Sequence, residues 1–143
     1  MRQTGPVKAA LLMALLIGAP ACDSVTPTTP TPPVSGHVNE SFVGTLEPGG
    51  SSFYSFTAPA AGAVSLTLLS VAVNGAEIGD QLIMGIGTPA GTDCVMQNSV
   101  TTSSGTSTQL SGSVTAGVYC ARVSDAGTLS TRTSFAVNIA RPQ

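Results

Sequence analysis

The sequence predicts an all-β domain: a two-sheet antiparallel β-sandwich, jelly-roll-like, with about eight short strands and one disulfide. Three observations carry that expectation. Apolar residues recur with period two in short runs, and no stretch of the folded part shows helical periodicity. Turn signals such as Pro48-Gly49-Gly50 and Asn74-Gly75 separate those runs at the spacing of a sandwich or barrel. The composition is rich in Ser, Thr, Gly and Ala, lacks Trp and is only 8% charged, where an intracellular enzyme holds about a quarter.

Residues 1–21 read as an export signal. Arg2 and Lys8 give it a positive start, and an uninterrupted apolar run covers residues 9–17. A bilayer-spanning helix needs about 20 such residues, so this is a leader and not a span. Ala19-Pro20-Ala21 places small residues directly before Cys22. That position resembles the bacterial lipoprotein signal, whose cysteine becomes the acylated first residue. The family's pattern has Leu three positions before the cysteine, where this chain has Ala19. The alternative is ordinary cleavage after Ala21, releasing a soluble protein. Cysteine parity favours the lipid: of three cysteines, Cys22 is left over if Cys94 pairs with Cys120.

Residues 22–37 comprise this anchor cysteine and a Thr/Pro-rich tether. Pro27, Pro30, Pro32 and Pro33 fix the backbone in an extended form that can hold a domain roughly 40 Å from its anchor. The sandwich occupies residues 38–143, enough for one domain and too few for two.

Within it, strands are predicted at 41–46, 52–57 with Tyr54 and Phe56 on one face, and 63–71 with Val64, Leu66 and Leu68 alternating against Ser65 and Thr67. Further strands are expected at 81–86, near 94–96, at 108–114, at 116–123 and at 134–140, the last with Phe135, Val137 and Ile139 on one face. The strand 116–123 is the anchor of the pattern. Tyr119, Ala121 and Val123 share one face; Val118, Cys120 and Arg122 share the other. In an exported domain Cys94 is the covalent partner of Cys120, and the bond is worth about 3.5 kcal/mol in a chain-entropy account.

The order Gly44-Thr45-Leu46, then Tyr54-Ser55-Phe56-Thr57-Ala58-Pro59-Ala60, then Gly62-Ala63-Val64-Ser65-Leu66-Thr67-Leu68 resembles the start of the bacterial pre-peptidase C-terminal (PPC) domain. The end resembles it too, in residues 116–123 followed by Phe135-Ala136-Val137. The resemblance implies a β-sandwich of the kind appended to secreted proteases and other envelope enzymes as a non-catalytic module, some members binding calcium or polymers. Unlike those proteins, this sequence carries no attached enzyme.

Other chemistries find little support. After the leader there is no Lys, and three arginines face seven acids, so the chain would be net negative; phosphate-backbone binding has no electrostatic footing, which excludes nucleic acid. Gly85-Ile86-Gly87-Thr88-Pro89-Ala90 fits a dinucleotide fingerprint, but no helix follows to present its amides to a pyrophosphate, and the segment reads as a turn. His37, the only histidine, has no ligand or triad partner in the sequence. Glu77, Asp80, Asp93 and Asp125 lie in or near turns without the spacing of a calcium loop. No catalytic residue, metal ligand or cofactor is therefore assigned. The expected function is binding or structural association by an exported, lipid-anchored module, with the membrane as one partner and an envelope protein or polymer as another. The alternatives are a small secreted enzyme or enzyme inhibitor, and a calcium-stabilised adhesion module.

Overall fold

A computed structural model describes residues 36–143. The leader, Cys22 and most of the tether lie outside the described residues. Among the described residues nine strands form: β1 (His37–Leu46), β2 (Ser51–Ala58), β3 (Gly62–Val73), β4 (Ala76–Glu77), β5 (Leu82–Ala90), β6 (Asp93–Thr102), β7 (Leu110–Val114), β8 (Gly117–Asp125) and β9 (Thr133–Pro142). No helix occurs among the described residues. All pairings are antiparallel, in two sheets.

The first sheet runs β1-β9-β3, with β4 and β7 sharing the far edge of β3; the second runs β2-β8-β5-β6. Apart from the two-residue β4, this is the jelly-roll order: consecutive strands switch sheets at every step except β5 to β6. The extra strand beyond the expected eight exists because Asn74 and Gly75 both take positive φ, 50° and 81°, and fold Ala76–Glu77 back onto β3. Positive φ at both central residues is what a tight hairpin turn requires.

Between the sheets lies one apolar core. Val64, Leu66, Leu68, Val137 and Ile139 face Leu82, Met84, Ile86, Ala121 and Val123, and the period-two assignments for β3, β8 and β9 hold. Phe135 meets Phe42 edge-on with ring centroids 5.1 Å apart, and Phe42 stacks on Tyr54 at 5.7 Å, joining the sheets through aromatic contact.

Two bulges interrupt the alternation. In β3, Leu68 pairs Val137 and Ser70 pairs Ala136, which leaves Leu69 unopposed and pushes it outward. Beyond it the buried set changes phase to Val71. In β6, Gly87 pairs Met96 while Ile86 pairs Asn98, so Gln97 is the extra residue. The short strand expected near 94–96 is thus ten residues long. Its two halves are out of register with one another, which hides the period from a reading of the sequence.

Candidate functional site

Cys94 and Cys120 are joined, with their Cα atoms 6.0 Å apart. The bond links β6 to β8, both of which flank β5. Cys120 lies on the face of β8 opposite Ala121 and Val123 and outside the core cluster, so the bond crosses the outer surface of the second sheet. The tip of the β5–β6 hairpin is folded onto that surface.

Two glycines make the fold-over possible. A Cβ at Gly87 would stand 1.9 Å from the backbone oxygen of Val95, and one at Gly85 would stand 2.3 Å from Met96 Sδ. The Gly85-to-Ala90 segment is therefore strand, correcting the turn expected there; the turn comes at Gly91, with φ +63°. The fingerprint-like glycines answer to steric contact with the returning strand. The strand–turn–helix that such a fingerprint serves does not form here, since β6 follows β5 directly.

Arg122 fills the space beside the disulfide. Its Nη1 lies 3.2 Å from Asp93 Oδ1 and donates to Cys94 O at 3.5 Å, and its Nη2 donates to Ser51 Oγ at 3.2 Å. Nε is buried with no partner. The guanidinium thus ties the hairpin tip to β8 and β2. Its charge is met by Asp93, so it is not a free anion-binding cation.

Elsewhere several ionisable groups tie strands and turns together. Arg141 Nε donates to Glu40 Oε1 at 2.7 Å, its Nη2 contacts the same carboxylate, and Tyr54 donates to Glu40 Oε2 at 3.2 Å, linking β9, β1 and β2. Asp125 Oδ2 accepts Gly49 N at 2.8 Å while its Oδ1 accepts the amides of Gly127, Thr128 and Leu129. Those amides, Gly49 first, hold its pKa below the ordinary value despite an opposing desolvation effect. Glu77 accepts Val71 N at 3.3 Å. His37 is exposed and opens β1 opposite Pro142, one residue inside the boundary assigned to the tether. Among the described residues no three His, Cys, Asp or Glu side chains come together.

The hydroxyl-rich stretch at 99–108 divides. Its first part belongs to β6; the remainder runs beside β3, where Gly105 N donates to Leu68 O at 2.8 Å. Gln109 completes the cover by accepting Leu68 N at 2.6 Å. No sequence signal marks Gln109, Glu40 or Arg141, since their partners are far away in the chain.

Comparison with known protein families and with curated proteins gives no match. The arrangement has its own chemistry: a disulfide-clamped hairpin, ion pairs at strand ends, and an outer face on which small uncharged Ser41 and Asn138 lie in one row with the buried Thr67 across β1, β9 and β3.

Proposed function

We propose that the protein is a non-catalytic, exported module of the bacterial envelope, lipid-anchored through Cys22 and serving binding or structural association. One observation carries the anchoring: the disulfide engages Cys94 and Cys120, so Cys22, directly after the apolar leader, is the cysteine left for attachment. A Thr/Pro tether after that residue suits a domain presented clear of a lipid surface. The resemblance to PPC domains points the same way.

The non-catalytic reading rests on how the domain uses its charges. Glu40 pairs Arg141, Asp93 pairs Arg122, Glu47 pairs Arg132 at 3.6 Å, and Asp125 binds turn amides. Acid–base chemistry needs a titratable group within reach of a substrate proton, and these groups are held in structural contacts.

Mass spectrometry of the N-terminal peptide from the membrane fraction tests the anchor. The expected result is a di- or triacylated Cys22; a free thiol there would reverse the localisation. Crosslinking and capture from intact cells then identifies what the domain binds.

A further inference from the structure

The two long borders of the sandwich are built differently. On the β6/β7 border the exposed edges are blunted. There β4 has two residues, β7 has five, and β6 is bulged at Gln97. Asn98 Nδ2 also donates to Ser111 O at 3.3 Å across the sheets, and the 103–109 segment bonds to β3 through Gly105 and Gln109. Short strands, bulges and cover are the usual means of stopping a sheet from adding a foreign strand.

The β1/β2 border has none of these. β1 and β2 follow one another through the turn at Gly49, and they border the same side, as the Phe42–Tyr54 stack shows. Both ladders, β1 with β9 and β2 with β8, run without a register shift. Among the described residues their backbones bond to β9 and β8 alone. The eight residues of β2, Ser-Ser-Phe-Tyr-Ser-Phe-Thr-Ala, contain no charge, no Pro and no Gly. The one charge of β1, Glu40, is engaged by Arg141, and no Lys occurs after Lys8 to guard either edge.

From this we infer that the β1/β2 border is a self-association surface, where β2 pairs antiparallel with β2 of a second copy. The choice of a second copy follows from charge and register. The domain is net acidic, so most of its surface repels its own kind, whereas β2 brings no charge to such a contact. Opposed residues in an antiparallel pair share a face, so a two-fold axis must lie midway between one residue and its own copy. Placed at Ser55, it sets Tyr54 against Phe56 of the second copy on the inner face. It also sets Phe53 of the second copy against Thr57, whose neighbour on β8 is the exposed Val118. Aromatic and aromatic–β-branched cross-strand pairs are the stabilising unit of such a seam. This surface requires neither export nor acylation.

Sedimentation velocity on the full chain carrying Cys22→Ser, so that no acyl group drives association, tests the inference. A dimer is expected. Ser55→Lys sets two ammonium groups against each other at the axis and should return the sedimentation coefficient to that of a monomer, with the circular dichroism spectrum unchanged and the thermal midpoint no longer dependent on protein concentration. Ser113→Lys adds the same charge on exposed β7, away from the seam, and should remain dimeric. A monomeric parent at all concentrations overturns the inference, as does a dimer that survives Ser55→Lys or one that Ser113→Lys also dissolves. A monomeric parent that captures an added Ser51–Ala58 peptide overturns it too, assigning the edge to a foreign strand. None of these outcomes bears on the acylation of Cys22, which mass spectrometry reads separately.

Discussion

Asp125 accepts the backbone amide of Gly49 from 76 residues away, at 2.8 Å. The same carboxylate holds three successive amides of its own loop, and Asp125 N donates to Gly50 O at 3.0 Å. One side chain thus fixes the β1–β2 turn to the β8–β9 connection, at the end of the sandwich where the chain passes between sheets.

A pH dependence follows from it. The folded pKa of Asp125 lies below its ordinary value of 3.8. A depressed folded pKa gives stability that is present above the unfolded value and lost as pH falls through the folded one. Acid unfolding of the wild type should therefore steepen below about pH 3.8, and Asp125→Asn should flatten that limb while keeping the fold at neutral pH. The thermal midpoint measured against pH reads it directly; identical acid limbs would show the carboxylate charge to be immaterial.

The two glycines of β5 should respond unequally to alanine. At Gly87 the new Cβ meets backbone, the carbonyl oxygen of Val95, which cannot move without shifting the hairpin. Overpacking of that kind costs about 1–3 kcal/mol, and Gly87→Ala belongs at the upper end. At Gly85 the obstacle is Met96 Sδ, the far end of a flexible chain, so Gly85→Ala should cost less. Denaturant titration ranks them, and equal losses would mean the hairpin tip does not press on β5. Peptide mapping should also find more free Cys94 thiol in Gly87→Ala, since the fold-over brings the sulfurs together.

How much of this could be read from the chain depends on whether the signal is local. The inner faces of β2, β8 and β9 were legible because Phe56, Ala121, Val123, Phe135, Val137 and Ile139 fall on unbroken alternation. The disulfide was legible because Cys94 is the one cysteine beyond the leader junction that Cys120 could pair with in an exported domain. The bulges were not: Leu69 and Gln97 each insert one residue, so a period read across them cancels. Gly85 and Gly87 misled for a related reason, since a glycine needed for close backbone approach looks in sequence like a glycine needed for a turn. Glu40 and Arg141, 101 residues apart, meet only once β1 lies on β9.

Gln109 offers a third test. Its amide accepts Leu68 N and donates to Leu68 O at 3.4 Å and Ser103 O at 3.3 Å, replacing a strand partner where the bulge breaks the β3 edge. Gln109→Ala strands the Leu68 amide in a partly buried position, at a cost of about 1–3 kcal/mol. Native-state hydrogen exchange should show the Leu68 amide losing protection while Leu66, inside the β7 ladder, keeps it. An unprotected Leu68 in the wild type would refute the bond.

At the opposite border, Tyr54 reports on the Glu40–Arg141 pair. Its phenol donates to Glu40, and that hydrogen bond, followed by repulsion between a phenolate and the carboxylate, raises its pKa above 10.0, with Arg141 opposing. A raised folded pKa means the contribution is fully present below pH 10 and is lost as pH climbs through the folded value. Ultraviolet titration of Tyr54 in a Tyr119→Phe background should give a midpoint above the ordinary one. Glu40→Gln removes the repulsion and weakens the accepting group, so the midpoint should fall back toward 10.0. Arg141→Met removes the opposing cation and leaves Glu40 without its ion pair, so that midpoint should move further up while stability drops. If Glu40→Gln leaves the titration where it was, the phenol and the carboxylate are not bonded and the link between β1 and β2 is aromatic packing alone.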